Sequence, residues 1–125
     1  MVAIDTNIIV RYYTDDDPTL TDQAQEIIDQ AAPKSLFLDR LVIAELTYVL
    51  KKLYKYNKVD IVNILQSLLA DVRFVIGDRE LASETIALFE KEKPLSFEDC
   101  WLLALKKQHK VTNVATFDRQ LKKRI

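Results

Sequence analysis

Val2-Ala3-Ile4-Asp5-Thr6-Asn7-Ile8-Ile9-Val10 is a short apolar run that stops at a carboxylate and then resumes. Val2 to Ile4 reads as a strand, and Ile8 to Tyr13 as a short helix, because an Asp between two such runs is a natural helix cap. The pattern recurs downstream. Ser35-Leu36-Phe37-Leu38 is a second short strand closed by Asp39, which caps a long helix over about 40–55 with Leu46, Val49, Leu50 and Leu53 on its apolar face. Arg73-Phe74-Val75-Ile76 is a third strand, closed by Gly77, and Val111 to Thr116 a fourth, with a terminal helix over 119–124 after Asp118. The connections are helical. Asp15-Asp16-Asp17-Pro18 breaks the first helix, a second runs from about Leu20 to Ala31 before Pro33, and three more are expected over 59–70, 79–91 and, after Ser96, 97–108. Short strands alternating with helices define an α/β class with a parallel sheet covered on both faces.

The composition is that of one domain. A chain of 125 residues with 49% hydrophobic side chains can close a core without covalent staples. It has no repeat and no Gly/Ser/Pro-rich linker; its one glycine is Gly77 and its prolines are Pro18, Pro33 and Pro94. The lone cysteine, Cys100, cannot form an intramolecular disulfide, which fits a reducing, cytoplasmic setting. The first residues show no pattern of a signal peptide, and no stretch approaches the roughly 20 apolar residues of a membrane span. The net charge of −1 conceals a polarity. Residues 1–30 carry seven acids against Arg11 alone, and residues 101–125 carry seven bases against Asp118 alone. Acids can hold cations and a basic end can meet a polyanion, although each run also serves as a solvated face.

The chemistry-bearing residues are carboxylates. In open parallel sheets, ligands bind beyond the carboxyl ends of the strands. Asp5 and Asp118 follow strands directly, while Glu45 and Asp99 fall in early helical turns. Each has a structural explanation: Asp5 and Asp118 as caps, Asp99 as partner of Ser96 in a capping box, and Glu45 at the edge of an apolar stripe with its head group in water. As a set they offer the hard oxygen donors that Mg²⁺ prefers. Other chemistries lack parts. There is no cysteine cluster or histidine pair for a zinc site, a Ser/His/Asp triad would have to use His109, the only histidine, inside a lysine run with no G-x-S-x-G elbow, and there is no glycine-rich phosphate loop. Asn7 stands where a haloacid-dehalogenase-type phosphatase would want a second Asp.

The same residues resemble a known family. Ile4-Asp5-Thr6-Asn7 resembles the opening of PIN domains, Ala44-Glu45-Leu46 their second block, Phe97-Glu98-Asp99-Cys100-Trp101-Leu102-Leu103-Ala104 their third, and Thr116-Phe117-Asp118 their last. Order and spacing agree from residue 4 to residue 118. The resemblance implies a PIN-like fold, with a central parallel sheet of four to five short strands and helices on both faces. It also implies Mg²⁺- or Mn²⁺-dependent hydrolysis of RNA phosphodiesters, with Asp5, Glu45, Asp99 and Asp118 as the catalytic, metal-binding acids and Asn7 and Thr116 as their polar supports. A stand-alone PIN domain of this size is most similar to the VapC-type toxins, which implies a small antitoxin partner and a homodimer. A Thr-Arg-Asn-type sequence common in such toxins is absent: Thr112-Asn113 lies early and lacks the Arg. Lys106, Lys107, Lys110, Lys122 and Lys123 would guide an RNA backbone or simply solubilise. Tyr12, Tyr13 or Trp101 would offer a ring for bases, although Trp101 is rather expected to pack in the core. Two other readings share the fold: an RNA-processing PIN nuclease without an antitoxin, and a non-catalytic binding module.

Overall fold

A computed structural model describes residues 1–125, which form two compact units, Met1–Gly77 and Asp78–Ile125. The first unit contains β1 (Val2–Ala3), α1 (Thr6–Tyr13), α2 (Pro18–Asp29), β2 (Leu36–Leu38), α3 (Arg40–Lys52), α4 (Lys58–Ala70) and β3 (Phe74–Ile76). The second contains α5 (Arg79–Lys91), α6 (Phe97–Lys107) and α7 (Arg119–Lys122). No helix is long and apolar enough to cross a membrane.

In the first unit the strands form one parallel sheet in the order β1-β2-β3, with Ala3 opposite Phe37 and Phe37 opposite Val75. Leu36, Leu38, Phe74 and Ile76 are buried on one face, while Phe37 and Val75 are half-buried on the other. Strands apolar on both sides are what a covered parallel sheet requires. The ladder continues past the strands: the Ile4 N–H donates to the Phe37 carbonyl at 2.9 Å and the Gly77 N–H to the Leu38 carbonyl at 3.0 Å. Gly77 lets the chain pass close to β2: a Cβ there would stand 3.2 Å from the tip of the Phe37 ring, which would have to shift to admit it.

All the helices except α5 start where a side chain takes over one of their free N–H groups. α1 begins at Thr6, two residues before the expected Ile8, since Asp5 already serves as its N-cap. α2 begins at Pro18 rather than Leu20: Asp17 accepts from the Leu20 N–H, and a proline at the first position gives up no hydrogen bond. α3 ends at Lys52. Leu53, expected on its apolar face, is instead the C-cap and is 71% exposed, because the chain turns away through Lys55 at φ 59°.

In the second unit α5 lies against α6. Leu81, Ala82, Ile86 and Phe89 are buried on α5, as are Phe97, Cys100, Leu103 and Ala104 on α6, and the Phe89 and Phe97 rings meet edge to face at 5.9 Å. An ion pair between Arg124 and Glu92 ties the C-terminus to the end of α5. The fourth strand expected over Val111 to Thr116 is absent, so the sheet has three strands rather than four to five. Only Val114 and Thr116 of that segment are even half-buried. The Asn113 side chain accepts from the Val114 N–H at 2.9 Å and Thr116 Oγ1 from the Asp118 N–H at 3.0 Å, so side chains occupy the backbone donors a ladder would use.

Candidate active site

Parallel strands in register place every strand exit of the first unit on one edge. Asp5 follows β1 and Asp39 follows β2, with nearly identical backbones: φ −78°, ψ 156° at Asp5 and φ −79°, ψ 153° at Asp39. Their hydrogen bonding differs. Asp39 Oδ2 accepts from the Leu41 N–H at 2.9 Å, the second residue of its helix, as an efficient cap does. Asp5 Oδ1 accepts only from the adjacent Thr6 N–H at 2.8 Å, leaving Oδ2 free on an exposed side chain. Beside it, Thr6 Oγ1 is buried without a hydrogen-bond partner. Asn7 is exposed on the first turn of α1 and its side chain makes no hydrogen bond.

Glu45 lies in the second turn of α3, exposed, with no ion pair or hydrogen bond. Leu41 and Tyr48, its neighbours on that ridge, are 74% and 60% exposed. Glu45 therefore belongs to the solvent face of α3, while Ile43, Leu46, Thr47 and Leu50 fill the core.

In the second unit, Asp99 and Ser96 form a reciprocal capping box at the start of α6. The Ser96 hydroxyl accepts from the Asp99 N–H at 3.1 Å and Asp99 Oδ2 from the Ser96 N–H at 3.2 Å. Glu98 beside it is exposed. Asp118 caps α7 through Oδ1, which accepts from the Leu121 N–H at 2.8 Å. Asp99 Oδ1 and Asp118 Oδ2 stay free, so for Asp5, Asp99 and Asp118 capping occupies one carboxylate oxygen and leaves the other for a ligand. Within each unit taken alone, no three carboxylate, imidazole or thiol groups are gathered so as to hold an ion. The donor chemistry, exposed carboxylates with an uncommitted oxygen, fits a hard divalent cation.

Several expected contributors are otherwise engaged. The Tyr12 hydroxyl donates to Asp29 at 2.9 Å and its ring meets that of Tyr13 edge to face at 5.2 Å. Burial pushes the half-buried Tyr13 phenol up to about 12. Trp101 rests against Phe97, and Lys107 pairs with Glu84 at 2.7 Å. Phe117, to which sequence reasoning assigned no role, is 98% exposed beside Asp118.

A family model described as PIN domain matches residues 2–124. The chain belongs to the PIN domain family. It is also 28% identical over 125 residues to a VapC ribonuclease of Aquifex aeolicus (strain VF5), covering 98% of this chain and 91% of that protein. A PIN domain of three parallel strands and seven helices is in keeping with that match, and the carboxyl edge that presents Asp5 is where such a sheet binds its ligands.

Proposed function

We propose that residues 1–125 act as a single PIN domain, a metal-dependent endoribonuclease of the cytoplasm and the toxin of a VapBC-type pair. The observation that carries this reading is the end-to-end similarity to a VapC ribonuclease. The acids that would hold Mg²⁺ or Mn²⁺ are Asp5, Glu45, Asp99 and Asp118. A bound divalent ion supplies Lewis acidity toward the phosphodiester and offsets the charge that develops on it. The chain's own part is positional. The Thr6 N–H fixes one oxygen of Asp5, the Ser96 N–H one oxygen of Asp99, and the Leu121 N–H one oxygen of Asp118, so the free oxygens are held rather than searching. Thr116 supports Asp118 by accepting its N–H, and Asn7 is a polar neighbour of Asp5. The partners of this reading are RNA, a small antitoxin protein and a second copy of the chain.

The test is hydrolysis of a structured RNA by the purified chain with Mg²⁺, with Mn²⁺ and with EDTA. Cleavage only with a metal is expected, and cleavage that survives EDTA would overturn the mechanism.

A further inference from the structure

The aromatic side chain most open to solvent in this protein is Phe117, at 98% exposure. A phenyl ring left in water keeps its apolar faces available to a ligand, and what surrounds it decides which ligand that is. Its backbone is not loose: on one side Thr116 Oγ1 takes the Asp118 N–H, and on the other Asp118 caps α7, whose Leu121 is 1% exposed. The ring is therefore displayed from an anchored turn.

Its surroundings select the partner. Arg119, Lys122 and Lys123 follow within six residues and make no ion pair, in contrast to Arg124, which is held by Glu92. A helix rises about 1.5 Å per residue, so the cations of α7 lie within roughly 10 Å of the Phe117 backbone. Asp118 is the sole acid among residues 101–125. Protein hot spots sit inside apolar patches. Phe117 instead has Thr116, Asp118, Arg119 and Gln120 as neighbours in the chain, the last three exposed. An isolated ring among unpaired cations is how proteins take single-stranded nucleic acid, with bases stacking on the ring and cations tracking phosphates.

The geometry points to Phe117 as a stacking platform for an unpaired base of single-stranded RNA, with Arg119, Lys122 and Lys123 on the adjoining phosphates. This assignment rests on the ribonuclease reading and names how its substrate is seated beside Asp118.

Binding of a fluorescent single-stranded RNA to the full chain, measured by anisotropy in EDTA with the RNA checked for integrity, tests it. F117A should bind about 5- to 100-fold more weakly, the range of one lost base–aromatic stack. F117L should fall nearly as far, F117W should hold wild-type affinity, and all should melt with the wild type because the ring packs on nothing. F117A should leave the dependence of affinity on salt unchanged, whereas Lys122→Ala with Lys123→Ala should flatten it. Affinity for duplex RNA should not respond to F117A. Wild-type affinity in F117A or F117L overturns the stacking role, as does an equal loss on duplex RNA. If F117A keeps its RNA affinity but changes the sedimentation mass, the ring belongs to a protein contact instead. A wild type that binds no single-stranded RNA, or an F117A that binds it equally, overturns the stack, whereas the ribonuclease reading stands or falls separately on the metal-dependent cleavage test.

Discussion

The two edges of the sheet in the first unit are built on opposite principles. At the amino edge, charge is matched. Arg73, just before β3, grips Asp71 with two hydrogen bonds of 2.7 and 2.9 Å, donates to the Ile28 carbonyl at the end of α2 at 3.0 Å and lies 3.5 Å from Asp29. At the carboxyl edge, Asp5 and Asp39 stand side by side on adjacent strands with no cation paired to either. The charges at the amino edge are held by one another, whereas those at the carboxyl edge are held only by the helix N–H groups they meet. Within that row, Asp39 caps its helix well and Asp5 poorly, and on the function proposed above Asp39 is the structural acid and Asp5 the metal-holding one.

The sharpest way to break this comparison is to neutralise each acid without changing its shape. Asp5→Asn should lower RNA cleavage by about a hundredfold or more, the scale of removing one preorganised charge from a reacting centre. Asp39→Asn should stay within about twofold of the wild type, since asparagine caps as well as aspartate. Thermal melts extend the contrast: Mn²⁺ at a hundredfold excess over its dissociation constant should stabilise the wild type and Asp39→Asn by about 2.7 kcal/mol, and Asp5→Asn hardly at all. Equal activity in the two variants would place both acids in the same structural role.

Much of this was readable beforehand. β2, β3 and most helices announce themselves by apolar runs ended by Asp, Gly or Pro, and the position of Asp5 after a strand follows from the same rule. Three features were not. Val111 to Thr116 has the apolar content of a strand, but whether backbone donors go to a neighbouring strand or to Asn113 and Thr116 is decided by tertiary context. The difference between Asp5 and Asp39 lies in which N–H each carboxylate meets, a matter of side-chain rotamer on matching backbones. Phe117 likewise reads as one more apolar residue, and only its 98% exposure distinguishes it.

At the amino edge the expected effect is smaller. Arg73→Ala removes charged hydrogen bonds from a site where both partners are more than two-thirds shielded, and should cost about 2 kcal/mol by denaturant unfolding while sparing activity. The loss should be pH-dependent. Hydrogen bonds from Arg73 hold the Asp71 carboxyl below its ordinary value, so this contribution is complete above the unfolded pKa near about 4 and fades as pH falls through the lower folded value. The wild type should therefore lose stability more steeply than Arg73→Ala below that point. Parallel acid limbs in the two proteins would show that Arg73 acts by packing alone.

The smallest effect separates the two exits by stability rather than activity. A cap is worth what its side chain does for the free N–H groups of the first turn, and alanine does nothing for them. Asp39 serves the Leu41 N–H inside α3, a helix that carries Ile43, Leu46 and Leu50 into the core, so its loss frays a turn that the core depends on. Asp39→Ala should cost about 1 kcal/mol. Asp5 serves only the N–H of the next residue, which water reaches easily once the exposed side chain is gone. Metal-free Asp5→Ala should thus melt close to the wild type even though it cleaves nothing. Should Asp5→Ala unfold as readily as Asp39→Ala in EDTA, Asp5 would be a cap of ordinary strength, and the division of labour along the carboxyl edge would be lost.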